Sequence, residues 1–245
     1  MTNLGTKTIA ELATEFPGAT RLFEKLGIDY CCGGGRSLEA ACSKAGLSLE
    51  EVALSLEQSK ETDQQPKAYK DWRQERLSDL MSHIMTIHHV FTKDELARLN
   101  PLIDKVCSVH GQNHPELFAI SRSFQALSQE LTLHLRKEEQ VLFPYILRLE
   151  EEVLAHGTLP KSPFGTVKNP VRMMTLEHDQ AGDLLAQIRK SSSNFSVPAD
   201  GCSSFRSLYQ SLAKLEEDLH QHIHLENNLL FPRAVEMEHS AQSGS

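Results

Sequence analysis

Residues 222–234 read HIHLENNLLFPRA and residues 134–146 read HLRKEEQVLFPYI, one pattern written twice. Each copy sets a Glu four residues after a His and a Leu-Phe-Pro triplet at the same later offset: His134, Glu138 and Leu142-Phe143-Pro144, then His222, Glu226 and Leu230-Phe231-Pro232. On a helix of about 3.6 residues per turn, side chains four apart share a face, about 6 Å apart along the axis. An imidazole nitrogen and a carboxylate so placed reach one metal site. A single such pair is commonplace on a solvated helix face. Here both pairs continue an apolar stripe, Leu117, Ile120, Phe124, Leu127, Leu131 in the first copy and Leu208, Leu212, Leu215, Leu219 in the second. A carboxylate buried among leucines is costly unless something positive or hydrogen-bonding meets it.

A second echo lies upstream of each copy. Residues 88–97 are HHVFTKDELA and residues 177–186 are EHDQAGDLLA; aligning His89 with His178 also aligns Asp94 with Asp183, Leu96 with Leu185 and Ala97 with Ala186. The repeating unit is therefore a helical hairpin with one His on its first helix and His-x-x-x-Glu on its second. The turn of the first hairpin falls at VHGQNHP (109–115), with His89 and His134 nearly equidistant from Gly111. At about 1.5 Å per residue both lie roughly 33 Å from the turn, so they meet at one level. The second hairpin turns within SSSNFSVPADG (191–201), where an extended loop is needed to bring His178 and His222 level. His88 is the alternative to His89, since it shares a face with Ile84 and Phe91.

Four histidines (His89, His134, His178, His222) with two glutamates (Glu138, Glu226) exceed what one zinc takes. They suit two metals bridged by both carboxylates, with open positions left on each. Mixed imidazole and carboxylate donors fit iron, manganese or zinc. Iron is the first expectation, because four-helix bundle cores house dinuclear iron. Pro144 and Pro232 fall inside helical patterns and are each expected to kink or end their helix.

The remaining chain frames this unit. It has 245 residues, 40% of them hydrophobic, and a net charge of −8, which argues against a nucleic-acid or acidic-membrane partner. No apolar run is long enough for a membrane span. The first residues lack a secretory plan, and five cysteines without a C-x-x-C do not form a disulfide framework, so a cytoplasmic location is expected. Residues 1–56 read as a small helical domain: a short helix over Thr8–Glu15, a second opened by Pro17 and closed by Gly27, and N-caps at Ser37 and Ser48, the latter with Glu51 as a capping box. Between these helices lies the loop DYCCGGG (29–35), whose adjacent Cys31 and Cys32 are either exposed and reactive or small residues packed beside a turn. Residues 57–75 have linker composition, and residues 76–240 carry the bundle, with a crossover loop at 156–170.

With DYCCGG, HGxxHPEL, HLRKEEQVLFP, EHDQAG and HIHLENNLLFPRA all in this order, the chain resembles hemerythrin-like di-iron domains and, along its whole length, the repair-of-iron-centres family of YtfE/ScdA type. The resemblance implies an all-α fold, a hemerythrin-like four-helix bundle behind a small helical N-terminal domain. It implies two iron ions in an oxo- and carboxylate-bridged centre, with ligands on His89, His134, Glu138, His178, His222 and Glu226. Cys31 and Cys32 become redox or transfer candidates, and His110, Glu139 and Glu177 second-sphere or channel candidates. It further implies a cytoplasmic role in restoring iron–sulfur proteins damaged by nitric oxide or peroxide. A nitric-oxide-reducing or dioxygen-binding protein is the alternative.

Overall fold

The computed structural model describes residues 4–16, 18–62 and 71–243, without the side chains of 59–62 and 243. Every regular element in the described residues is helical. Contacts divide the chain into two compact units, Met1–Arg76 with His220–Pro232, and Leu77–Leu219 with Arg233–Ser245.

In the first unit four helices, α1 (Ile9–Glu15), α2 (Ala19–Leu26), α3 (Leu38–Ala45) and α4 (Leu49–Thr62), enclose a core of Ile9, Leu12, Phe16, Phe23, Tyr30, Leu38 and Leu56. Their ends follow the local chemistry. Thr8 and Glu11 form a reciprocal capping box at α1, and the Ser37 hydroxyl accepts from Ala40 N–H at α3. Ser48 Oγ accepts from Glu51 N–H at α4. Gly27 closes α2 in the left-handed conformation (φ 67°), where a side chain would be strained. The expectation that Pro17 opens α2 lies outside the described residues, as do residues 63–70 of the linker. The part of it that is described begins as helix, since α4 runs on to Thr62.

The second unit is a four-helix bundle. Its first helix comprises α5 (Leu77–His83), a π segment (Ile84–His89) and α6 (Val90–His110); its second, α7 (Glu116–Lys137), a π segment (Glu138–Leu142) and α8 (Phe143–His156). The third is α9 (Lys168–Ser191). The fourth is α10 (Ser203–Leu225), followed by a π segment (Glu226–Leu230) and α11 (Phe231–Ser243); of it, residues 220–232 count with the first unit. The stripes read from the sequence form one core: Leu96, Leu99, Ile103 from the first helix, Leu117, Ile120, Phe124, Leu127 from the second, Ala181, Leu185, Ile188 from the third and Leu208, Leu212, Leu215, Leu219 from the fourth. At about 2 kcal/mol for each fully buried leucine-sized side chain, this core is what holds the helices together.

Pro144 and Pro232 do not end their helices. Just before each, the backbone widens to a π turn, in which Phe143 N–H donates to Glu138 C=O and Phe231 N–H to Glu226 C=O, five residues back. The widened turn accommodates a residue that lacks an N–H and that would press on the carbonyl four residues earlier. Gly111 follows the last residue of α6, within the turn read from the sequence. Its φ is an ordinary −61°, but a Cβ there would lie 2.5 Å from Cys107 O and 2.6 Å from the Phe118 ring, so close approach excludes a side chain. The second hairpin turns through Ser193, Asn194 and Phe195, all at positive φ (50°, 57°, 57°). Ser192 Oγ accepts from Phe195 N–H at 3.1 Å, and the Phe195 ring packs on the bundle core, which offsets that strain.

Two buried carboxylates open the first helix of each hairpin. Glu150 accepts from Leu77 and Ser78 N–H (2.7 and 3.1 Å), and Glu238 accepts from Val167 N–H (3.0 Å) and the Tyr145 hydroxyl (2.8 Å). Burial, and then Glu238, push the Tyr145 pKa to about 12, so the phenol remains a donor. Glu150 and Glu238 stand at one offset from Glu138 and Glu226, so the repeat reaches further than its Leu-Phe-Pro triplet.

Candidate metal centre

Each π segment carries a candidate ligand at its edge. His89 ends the first, Glu138 begins the second and Glu226 begins the third. A π turn shifts the facing of later residues by one position, and such turns concentrate at functional sites.

In the bundle unit, His89, His134, Glu138 and His178 are all buried, with Glu138 wholly so at 0% exposure. His134, Glu138 and His178 each offer a ligand atom within 4.8 Å of one another, as do His89 and Glu138. His89 Nε2 lies 3.4 Å from one Glu138 oxygen and His134 Nε2 lies 3.3 Å from the other. His134 Nε2 and His178 Nε2 face each other at 3.0 Å. His88 turns elsewhere, its Nδ1 3.0 Å from Asp218, so His89 and not His88 faces Glu138.

The outer nitrogens decide what these inner ones offer. His89 Nδ1 meets Glu139 at 2.7 Å and His134 Nδ1 meets Glu177 at 2.9 Å. Lysines hold both carboxylates, Lys93 on Glu139 at 2.6 Å and Lys137 on Glu177 at 2.5 Å. The hydrogen bond from His134, opposed by burial and aided by Lys137, takes the Glu177 pKa to about 2. Burial alone would raise Glu139, but its bonds from Lys93 and His89 leave it lowered. Two anionic partners hold each Nδ1, so the Nε2 of each ring is the nitrogen turned toward the buried carboxylate of Glu138. A carboxylate at that depth needs a positive or hydrogen-bonding partner. A cation among them turns the same geometry into coordination, with the carboxylate–histidine arrangement that orients metal ligands. The residues therefore fit a metal.

In the other unit, His222 and Glu226 are buried at 1% and 0% exposure, with His222 Nε2 3.0 Å from Glu226 Oε1. The DYCCGG loop packs in that unit on the same stretch of helix. Asn228 Nδ2 donates to Tyr30 C=O at 3.1 Å, Asn227 Nδ2 to Cys31 C=O at 3.4 Å, and Gln221 Nε2 to the Tyr30 hydroxyl at 3.0 Å. His220 Nδ1 lies 2.6 Å from Glu24, and the Tyr30 ring stands edge-on to His224. Asp29 Oδ1 accepts from the N–H groups of Cys31 and Cys32, and the two thiols stand 3.8 Å apart. Cys31 is buried and Cys32 half-buried, so of the two readings left open the packed one describes Cys31. The Cys32 contact, and then burial, push the Cys31 thiol up.

Family models divide the chain as its motifs do. Residues 80–234 match the hemerythrin HHE cation binding domain, and residues 5–60 match ScdA_N, a domain of unknown function. A probable iron–sulfur cluster repair protein of Haemophilus influenzae is 36% identical over 231 residues, 93% of this chain and 96% of its own. The iron–sulfur cluster repair protein YtfE of Edwardsiella ictaluri is 36% identical over 94% of this chain and 96% of its own, and that of Citrobacter koseri 35% over 93% and 96%. The chain belongs to the YtfE family of iron–sulfur cluster repair proteins.

His110 stands apart from the other candidate residues. That residue closes α6, and its Nε2 sits 3.1 Å from Cys202 Sγ. Some 21 residues of helix, about 30 Å, separate it from His89, so α6 places it at the far end of the helix from that histidine. Lys93 and Lys137 escaped the sequence reading, although their spacing from His89 and His134 puts them within one helical turn. A cavity of about 120 Å³ opens beside His134 and His178, walled in part by Leu131, Leu133 and Glu177. It admits a few water-sized molecules.

Proposed function

We propose that this member of the YtfE family holds two iron ions on His89, His134, Glu138, His178, His222 and Glu226, with both glutamates bridging. Its role would be to restore iron–sulfur proteins damaged by nitric oxide or peroxide, in the cytoplasm, by supplying or remodelling iron. The observation that carries the metal reading is the pair of imidazole Nε2 atoms set 3.4 and 3.3 Å from the two oxygens of buried Glu138. The sequence repeat supports adding His222 and Glu226, because they are the equivalents of His134 and Glu138. The printed names of the relatives support the repair role. Iron would supply redox chemistry and exchangeable ligand positions. The chain's own part is to hold the imidazoles in one tautomer through Glu139 and Glu177 and to keep bulk water from Glu138. No helix among the described residues is long and apolar enough to cross a membrane.

A second reading, reduction of nitric oxide or binding of dioxygen, draws on the small cavity beside His134 and His178. One assay separates the two. Iron-loaded protein is added anaerobically to a nitric-oxide-damaged [4Fe–4S] dehydratase, and dehydratase activity, iron transfer and nitrous oxide are followed together. Recovery of activity with iron passing to the client is expected. Nitrous oxide formed catalytically, with no recovery, would install the second reading.

A further inference from the structure

A separate cluster stands at the hairpin-turn end of the bundle unit. Cys202 immediately precedes α10, at a position where serine, threonine or aspartate commonly caps a helix, and its sulfur takes their place. The backbone N–H groups of Phe205 and Ser204 point at Sγ, and His110 Nε2 approaches it to 3.1 Å from the last residue of α6. The His110 ring is held edge-on to Phe205 and to His114, at centroid distances of 5.4 and 6.3 Å. His114 is itself pinned between Glu116 at 3.0 Å and Asp200 at 3.1 Å. The sulfur is exposed to solvent.

This geometry favours charge separation. A proton passed from Sγ to Nε2 leaves an anion at the N-terminus of α10 and a cation at the C-terminus of α6, the ends at which helix dipoles stabilise each. The Phe205 N–H and then His110 lower the Cys202 pKa to about 7. Burial raises the thiols of Cys42 and Cys107, and Cys31 is raised by Cys32 and by burial, so these three are poor nucleophiles by comparison.

We propose that Cys202, with His110 as its proton partner, is a second reactive centre, at which a hydroperoxide oxidises the thiolate and a low-molecular-weight thiol then caps it as a mixed disulfide. In the first step an S–O bond forms as the O–O bond breaks. Sulfur loses two electrons to the peroxide, and the departing hydroxide (an alkoxide, for an organic hydroperoxide) takes the proton from His110 and leaves as water or the alcohol. In the second step the incoming thiol displaces the sulfenic hydroxyl, giving an S–S bond and water. Neither step involves the candidate metal centre, so the inference stands or falls apart from the iron reading.

The test uses the full-length, metal-loaded protein. Iodoacetamide labelling followed by peptide mapping should show Cys202 reacting at neutral pH at least about tenfold faster than Cys42 or Cys107, with a midpoint near pH 7. One equivalent of hydrogen peroxide followed by glutathione should add one glutathione at Cys202 and none there in the C202S variant. His110→Gln should slow labelling about tenfold. C202S should keep the metal content of the parent. Equal labelling of all cysteines, or a Cys202 midpoint above about pH 8.5, would overturn the proposal. So would stoichiometric zinc lost on C202S, which would make the cluster a metal site. Should H110Q fail to fold, the pH profile of the unaltered protein decides.

Discussion

Replacing Glu138 by Leu should cost the protein most of its iron, and Glu226→Leu should do the same. Glu138 is wholly buried and presents its two oxygens to His89 and His134. If it bridges two metals, leucine removes a donor from both at once. Iron per chain should fall to half or less, and the charge-transfer bands of a bridged ferric pair should disappear. Glu177→Ala makes a graded comparison, since it removes only the partner of His134 Nδ1; losses of outer partners typically weaken metal binding about 10–100-fold. Full iron occupancy in E138L would mean that the metal, if any, sits elsewhere.

The second large effect separates the two domains. Cys31 and Cys32 lie outside the histidine–glutamate framework, and Asn227 and Asn228 hold their loop through the backbone carbonyls of Cys31 and Tyr30. Changing both cysteines to Ser therefore leaves those hydrogen bonds in place. The double variant should keep its iron spectrum and its helicity while reactivation of a damaged client falls at least about tenfold, as expected if the two thiols take part in transfer. Reactivation at the parent rate would free the cysteines of any transfer role. Collapse of the spectrum would make them ligands.

Much of this architecture can be read without coordinates, for a physical reason. The bundle core is a set of three-and-four-spaced apolar residues, and Leu117, Ile120, Phe124, Leu127 and Leu131 leave little choice of buried face. His134 and Glu138 fall on the same face, so the pattern that gives the helix also places these two. The π turns are another matter. They depend on how the backbone accommodates Pro144 and Pro232, and periodicity alone suggests a kink or an end where the helix instead widens and continues. Glu150 and Glu238 were visible in the repeat but carry no helix-start signal, because they cap helices distant in sequence. His110 shows the limit of motif matching. Its place in HGxxHPEL makes it a candidate, and only the length of α6 places it far along the helix from His89. Cys31 became buried through packing that three neighbouring glycines do not reveal.

Metal content per chain, taken with the optical spectrum of oxidised protein isolated from its native source, tests the central claim most directly. Two irons per chain with the charge-transfer bands of a carboxylate-bridged ferric pair are predicted. A single tightly held zinc, with no such bands, would contradict the account.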